Sequence, residues 1–416
     1  MSSKSKTTAT KEDDKPALVP KLRFPEFQDT EGWHQKSLGS LGRLTRGLTY
    51  SSADVASDGL LVLRSTNIQD GHLVLDRDLV FVGKPCPDTL RLEEGDIVIC
   101  MSNGSKALVG KSGEYSGDYA GDITVGAFCS FFRPAFPYAK LAFQLDSYQR
   151  YIADLVAGGN INNLTNSVLE EFNLPVPSIP PEQQKIAECL SSVDELIAAQ
   201  ARKLDALQIH KKGLMQQLFP RAGETQPRLR FPEFQNAGEW EIRFVSQLAK
   251  VTTGAKDTQN KVEGGRYPFF VRSQAVERID SYSYDGEAVL TSGDGVGVGK
   301  NFHYINGKFD FHQRVYCIYD FDESVSGLFF YLYFSEHFGE RVMRMSAKNS
   351  VDSVRMAMIT EMPVTMPSLP EQQRIAACLT TLDDLIAAQT QKLEALKTHK
   401  QGLMQQLFPS PEEVEA

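Results

Sequence analysis

EQQKIAECLSSVDELIAAQARKLDALQIHKKGLMQQLFP, residues 182–220, returns almost unchanged as EQQRIAACLTTLDDLIAAQTQKLEALKTHKQGLMQQLFP at residues 371–409. In the first copy Ile186, Leu190, Val193, Ile197, Gln200, Leu204, Leu207, Lys211, Leu214 and Leu218 alternate steps of four and three, the 3.5-residue period of a coiled-coil seam. The second copy keeps every step through Ile375, Leu379, Leu382, Ile386, Gln389, Leu393, Leu396, Lys400, Leu403 and Leu407. Prolines precede each block (Pro180 and Pro181; Pro370) and close it (Pro220; Pro409), so each reads as one sharply bounded helix. Each helix is ~37 residues, roughly 55 Å at the helical rise. Two such seams in one chain are expected to associate antiparallel about a pseudo-two-fold axis, with Gln200 and Gln389 near the crossing, where buried amides fix the register.

A second motif is also repeated. PKLRFPEF (residues 20–27) and PRLRFPEF (residues 227–234) each lead to one of the two tryptophans, Trp33 and Trp240. The reading is an aromatic staple in which Phe24, Phe27 and Trp33, with Phe231, Phe234 and Trp240, anchor the adjoining stretch of chain to the helical frame by burial.

Between the repeated ends lie two unlike inserts, about Lys36 to Leu174 and Glu241 to Met362. Both mix short apolar runs with Gly, Asn, Asp and Ser, the pattern of strands joined by turns. Leu60 to Leu63, Ile97 to Cys100, Phe128 to Phe132, Ala288 to Thr291 and Val315 to Tyr319 read as strands; Tyr138 to Ala157 and Gly327 to Met345 read as helices. The expectation is an α+β protein: two globular mixed domains separated by two long antiparallel coiled-coil helices, an internal pseudo-two-fold repeat. The boundaries are a tail at 1–17, a first domain at 18–180, a first spacer helix at 181–220, a second domain at 221–369, a second spacer helix at 370–409 and a tail at 410–416. Weak equivalences link the inserts. Leu63-Arg64-Ser65 answers Val271-Arg272-Ser273, Val109-Gly110-Lys111 answers Val298-Gly299-Lys300, and Asn160 to Asn166 answers Lys348 to Ser353.

Composition bounds the function. The chain has 416 residues, 41% hydrophobic and 23% charged, enough for two or three soluble domains. Neither a long apolar run nor a secretory signal is visible, which points to the cytoplasm. The six cysteines form no C-x-x-C pair and read as reduced, mostly buried thiols. Net charge is -9, with 12 basic against 16 acidic residues in the first insert and 14 against 16 in the second. Either nucleic acid is not the partner, or another subunit neutralises most of the phosphates.

Catalytic signatures are missing. Ser292 to Lys300 is glycine-rich, but Asp294 stands where a P-loop needs its first glycine, Asn301 where it needs Ser or Thr, and the G-x-G-x-x-G spacing fails. No metal-ligand cluster, nucleophile elbow or nuclease carboxylate set appears. The chain reads as a scaffold without metal, cofactor or catalytic residues of its own. Its loops hold residue types suited to base edges and phosphates, since Arg can take guanine and Asn or Gln adenine by paired hydrogen bonds. The candidates are Arg64, Ser65, Asn67, Asn103, Ser105, Lys106, Asn160, Asn162 and Asn163 in the first insert. In the second they are Arg272, Ser273, Gln274, Lys300, Asn301, His312, Gln313, Arg314, Lys348 and Asn349. Each reads equally well as an ordinary turn residue or solvated side chain.

From Pro20 to Pro409 the arrangement resembles the specificity subunit of type I restriction-modification enzymes. LRFPEF with its tryptophan, P-x-[IL]-P before EQQ-[KR]-IA-x-CL, DELIAAQ or DDLIAAQ, and LMQQLFP carry the resemblance. It implies that the inserts are target recognition domains reading a bipartite, asymmetric site in double-stranded DNA, with the helices as spacer. It further implies two modification subunits methylating adenine with S-adenosylmethionine, and restriction subunits using ATP and Mg2+. The assembled complex would be a site-specific DNA adenine methyltransferase and ATP-dependent endonuclease serving phage defence. Three alternatives remain: an enzyme acting alone, for which no motif is found; a coiled-coil adaptor joining two protein-binding domains, which suits the acidic balance; and, within the class, a methylating complex with no active restriction partner.

Overall fold

The structure is a computed structural model that describes residues 18–69, 71–157, 163–221, 223–345 and 353–409. The two tails expected at 1–17 and 410–416 lie outside the described residues. The chain divides into two compact units, one holding the sequence up to Ala198 and again from Glu394, the other Ala199–Leu393.

The repeated blocks fold as helices Pro180–Leu218 and Leu369–Leu407, each of 39 residues. In the first unit the start of the first long helix (Ile186, Leu190) shares a core with the end of the second (Leu403, Leu407, Phe408). In the second unit the end of the first (Leu214, Leu218, Phe219) shares a core with the start of the second (Ile375, Leu379). None of the twenty seam positions is exposed. The most deeply buried lie toward the helix ends, where the globular domains cover them, whereas Ile197, Leu204, Leu207, Leu382, Ile386 and Leu396 are half-buried. Polar seam positions have partners. The Gln200 amide donates to the side-chain oxygen of Gln389 at 2.7 Å and to its carbonyl at 3.2 Å. Lys211 reaches Asp383 at 2.5 Å in the second unit, and the repeat-equivalent Lys400 reaches Asp194 at 2.6 Å in the first.

These polar positions specify register more than they add stability. Gln200→Ala is expected to cost about 1 kcal/mol by leaving the half-buried Gln389 amide unpaired. The double change Gln200→Leu with Gln389→Leu should avoid such a loss, so urea unfolding of wild type, Gln200→Leu, Gln389→Leu and the double variant would show a coupling; additive effects would count against the register role.

Each insert is tied off at its base by a two-stranded antiparallel ribbon. His34–Ser37 pairs with Asn173–Val176, and Glu241–Phe244 with Pro363–Met366. Because the ribbon holds both ends of an insert, everything between is free to differ. In the first unit a six-stranded sheet runs, in spatial order, Gly42–Arg46, Cys129–Pro134, Ile97–Cys100, Ser112–Glu114, His72–Leu73 and Ile68–Gln69. A four-stranded sheet adds Ile123–Val125, Leu60–Leu63, Phe81–Val82 and Val55–Ala56. In the second unit one six-stranded sheet runs Lys250–Thr253, Val315–Tyr319, Tyr284–Ser292, Phe302–Phe311, Tyr267–Phe270 and Val276–Ile279. The helix Gly327–Met345 covers it with Phe330, Phe334 and Phe338, which recur at the four-residue helical spacing and stack at 5.5 and 4.4 Å.

Two sequence expectations shift. Tyr138 to Ala157 is a 3-10 stretch Pro137–Gln144 followed by an α-helix Asp146–Ala157, because Leu145 between them takes extended backbone angles. The strand expected from Phe128 begins one residue later, at Cys129, since Phe128 belongs to the preceding turn.

The staple is also built differently. Trp33 and Trp240 are each 2% exposed, but Phe24, Phe27, Phe231 and Phe234 are only half-buried. The anchor is the arginine of LRFPEF gripping the first glutamate of EQQ. Arg23 donates through Nε and one terminal nitrogen to both oxygens of Glu182 at 2.7 Å, and Trp33 Nε1 donates to the same carboxylate at 3.2 Å. Arg230 holds Glu371 by the same two-pronged contact, again at 2.7 Å. Phe408 then packs edge-on against Trp33 at 5.9 Å, as Phe219 does against Phe329 at 5.6 Å in the other unit. That explains why each long helix ends in Leu-Phe-Pro.

All six cysteines are free thiols, four buried and two half-buried. Burial pushes the Cys129 and Cys317 thiols up to about 12, which leaves them chemically inert at neutral pH. Among the described residues no helix is long and apolar enough to cross a membrane.

Candidate nucleic-acid interface

Three backbone hydrogen bonds at one end of the two inserts correspond. In the first, the carbonyl of Leu63 accepts from Gly126 N–H, Phe128 C=O accepts from Met101 N–H, and Met101 C=O accepts from Leu164 N–H. In the second, Phe270 accepts from His312, Arg314 from Gly293, and Gly293 from Val354. The isolated bridges agree: Ser102 with Asn163, and Asp294 with Ser353. The same four segments therefore converge at one end of each sheet. They are residues 64–67, 101–111, 126–128 and 163–166 in the first unit, and 271–275, 293–301, 312–314 and 353–355 in the second.

This register corrects one sequence equivalence. Val125 pairs with Leu63 in parallel strands as Phe311 pairs with Phe270, so Ser65, rather than Arg64, occupies the place of Arg272. Val109-Gly110-Lys111 and Val298-Gly299-Lys300 do correspond. Both glycines are in the left-handed region (φ 81° and 65°), and each lies against a helix, Gly110 beside Ile152 and Gly299 beside Gly339.

In the first unit the Asn103 amide donates to the Ser65 hydroxyl at 3.0 Å, and its oxygen accepts from Ser105 N–H at 2.9 Å. Ser65 and Asn103 line an open depression of about 290 Å3 with Thr66, Gln69, Leu108 and Lys111. Asn163, exposed at the edge, bonds the Ser102 hydroxyl. Lys106 is exposed while its ammonium donates to Val156 C=O at 3.3 Å. Arg64 is half-buried and donates to Asp78 C=O at 3.1 Å. Asn67 does not face outward. It is 1% exposed, accepts from Arg64 N–H and donates to the carbonyls of Val74 and Arg77, so it orders the loop and offers nothing to a base. Asn160 and Asn162 lie outside the described residues.

In the second unit the centre is Asp294, which sequence reasoning passed over. Its carboxylate accepts from Arg272 at 2.9 Å and lies 3.8 Å from Arg314. The Asn301 amide donates to Arg272 C=O at 3.2 Å and to the Ser292 hydroxyl at 3.3 Å, which positions the arginine's backbone. Ser273 donates to Ala275 C=O at 2.9 Å; Gln274 and Lys300 are exposed. Gln313 is exposed too and donates to Asp257 at 3.0 Å. Lys348 and Asn349 lie outside the described residues.

His312 also turns inward. It is 3% exposed, and its Nδ1 accepts from Arg314 N–H at 2.9 Å, fixing the turn. Burial first, and the nearby Arg272 guanidinium second, push its imidazole below the ordinary 6.5. Unfolded chain therefore takes up a proton before folded chain does. The stability this neutral ring contributes is complete above pH 6.5 and is lost as pH falls through the folded value. Between pH 7.5 and 5 the second unit, followed through Trp240 fluorescence in a Trp33→Phe background, should weaken, and His312→Gln should reduce that dependence, the remainder belonging to His303, whose imidazole burial also pushes down. An unchanged slope in the variant would count against this role.

Phe128 and Val296 were also missed. They are 70% and 94% exposed, at the tips of the 126–128 turn and the 293–301 loop. The clue lay in glycines close to apolar residues within turn-rich stretches, Gly126-Ala127-Phe128 and Gly295-Val296-Gly297. Among the described residues no group of three or more His, Cys, Asp or Glu is placed to hold a metal ion.

The sequence matches the type I restriction modification DNA specificity domain over residues 30–208 and again over 237–398. The chain belongs to that family. Among relatives of this specificity-domain family, the type I restriction enzyme StySPI specificity subunit of Salmonella potsdam is 36% identical over 172 residues, 39% of this chain and 36% of that protein. The EcoKI specificity subunit of Escherichia coli strain K12 is 30% identical over 265 residues, 60% of this chain and 55% of that protein. The matched stretches thus span between about a third and just over half of these relatives' length. The crystal structure of the type I restriction-modification S subunit from M. genitalium superposes with a TM-score of 0.62, covering 94% of this chain and all of that one at 16% identity, a likeness of fold.

Proposed function

We propose that this chain is a non-catalytic subunit that reads a bipartite, asymmetric site in double-stranded DNA, one half through each unit. It would carry that site to two adenine-methylating modification subunits and to restriction subunits. S-adenosylmethionine, ATP and Mg2+ would be bound by those partners. The observation that carries the reading is that the same four loops meet at the same place on both sheets but present different side chains. Equal scaffolds with unequal loops suit two unlike half-sites. The acidic balance fits if partner subunits supply most phosphate contacts, because Asp294 offsets one of the two positive charges that Arg272 and Arg314 bring to this surface.

The test is a genome-wide map of adenine methylation in the host with and without this gene. Loss of one two-part motif would support the reading and give both half-sites and their gap. An unchanged map, with the gene expressed and the modification subunits present, would sink it and favour the coiled-coil adaptor, whose partners a pull-down would then seek.

A further inference from the structure

The register of the two units sets three surface positions in correspondence. Arg314 C=O accepts from Gly293 N–H as Phe128 C=O accepts from Met101 N–H, so Phe128 stands where Arg314 stands. The paired bridges put Ser102 at the place of Asp294, and the parallel strands put Ser65 at the place of Arg272. In the second unit this triad is a carboxylate that accepts from one guanidinium at 2.9 Å and lies 3.8 Å from the second, Arg314. In the first it is two hydroxyls and a phenyl ring.

The backbone that carries Phe128 is fixed by hydrogen bonds. The turn that carries it is closed by Cys129 N–H on Gly126 C=O at 2.8 Å, and Phe128 C=O accepts twice, from Met101 and Ser102 N–H at 2.9 and 3.1 Å. The turn thus presents a phenyl ring, 70% exposed, at a fixed point of the surface. The neighbouring groups are polar and uncharged or singly basic: Ser102 bonded to Asn163, and Arg46, whose Nε donates to Ala127 C=O at 3.4 Å.

Resting on the function proposed above, we propose that the 128/314 position is a specificity-determining position in both units. Phe128 meets the 5-methyl group of a thymine in the half-site read by the first unit. Arg314, set by Asp294, meets the acceptor edge of a guanine in the half-site read by the second. Apolar side chains recognise the thymine methyl and arginine the O6 and N7 of guanine, and these edges lie in the same groove. A single backbone position can therefore switch between the two by exchanging one side chain.

The experiment is methylation mapping with the full chain in its complex, comparing wild type, Phe128→Ala and Arg314→Ala. Both side chains are exposed at the turn tips, and unfolding midpoints of the purified variants would verify that the fold is intact. Phe128→Ala should relax one A·T position of one half-site, with methylation at substituted sites rising roughly 5- to 10-fold over wild type. Arg314→Ala should relax one G·C position in the other half-site. The inference is overturned if a folded variant leaves the motif unchanged, or if both variants act on the same half-site. If wild type itself yields no two-part motif, the function proposed above falls and this inference with it. A motif present but indifferent to both variants removes the inference alone.

Discussion

Glu182→Ala is expected to destabilise the first unit by roughly 3–5 kcal/mol, the usual cost of stripping one partner from a buried ion pair. Glu182 is fully buried and Arg23 is 8% exposed, so the guanidinium would be left without a counter-charge. Its remaining acceptors, the Thr30 carbonyl and hydroxyl and the Glu31 carbonyl, satisfy donors but cannot neutralise the charge. The Glu182 hydrogen bonds are also the main reason the Arg23 pKa is raised further above its already high value. Replacing both partners with methionine should cost much less than Glu182→Ala, since a buried pair removed whole leaves no orphaned charge. Each unit contains one tryptophan, so urea unfolding read through Trp33 in a Trp240→Phe background isolates the effect. A loss below about 1 kcal/mol would place this contact with ordinary surface pairs and refute the anchor. Glu371→Ala, read through Trp240, should reproduce the result in the second unit.

The anchor shows where sequence reasoning stops. The seam was legible because its information is local: a 3.5-residue period survives in one dimension. So were the strands Leu60–Leu63, Ile97–Cys100 and Val315–Tyr319 and the helix Gly327–Met345, all apolar runs with turn residues at their ends. Arg23 and Glu182 are 159 residues apart, and nothing in either local pattern announces the other. LRFPEF was therefore credited to its phenylalanines, the residues most conspicuous in isolation. The candidate interface failed in a related way. Choosing Arg, Asn, Gln and His by type selected Asn67 and His312, which the fold turns inward to brace the loops. The same choice missed Asp294 and Phe128, whose meaning comes from where the backbone places them. The one-residue offset between Ser65 and Arg272 was hidden because the short LRS and VRS matches favoured the wrong alignment.

Arg272→Ala is expected to weaken sequence discrimination by the complex by about 5- to 150-fold at one position, the equivalent of roughly 1–3 kcal/mol for a lost two-pronged base contact. The competing consideration is that Arg272 is already engaged by Asp294. That pair is exposed, with side-chain exposures of 47% and 24%, and such pairs contribute only about 0–1 kcal/mol. If Arg272 reads a guanine, releasing the guanidinium from Asp294 would cost less than the new contact returns, and the carboxylate would serve to position the arginine before DNA binds. If Arg272 instead touches a phosphate, the outcome differs in kind. Binding would weaken evenly across sequences, and the slope of log affinity against log salt would fall by about one. Measuring binding of the assembled methyltransferase complex to the native site and to single-base variants, at several salt concentrations, separates the two. Loss confined to one base position at constant salt slope is the expected result. Uniform weakening would move Arg272 from reading bases to positioning the duplex.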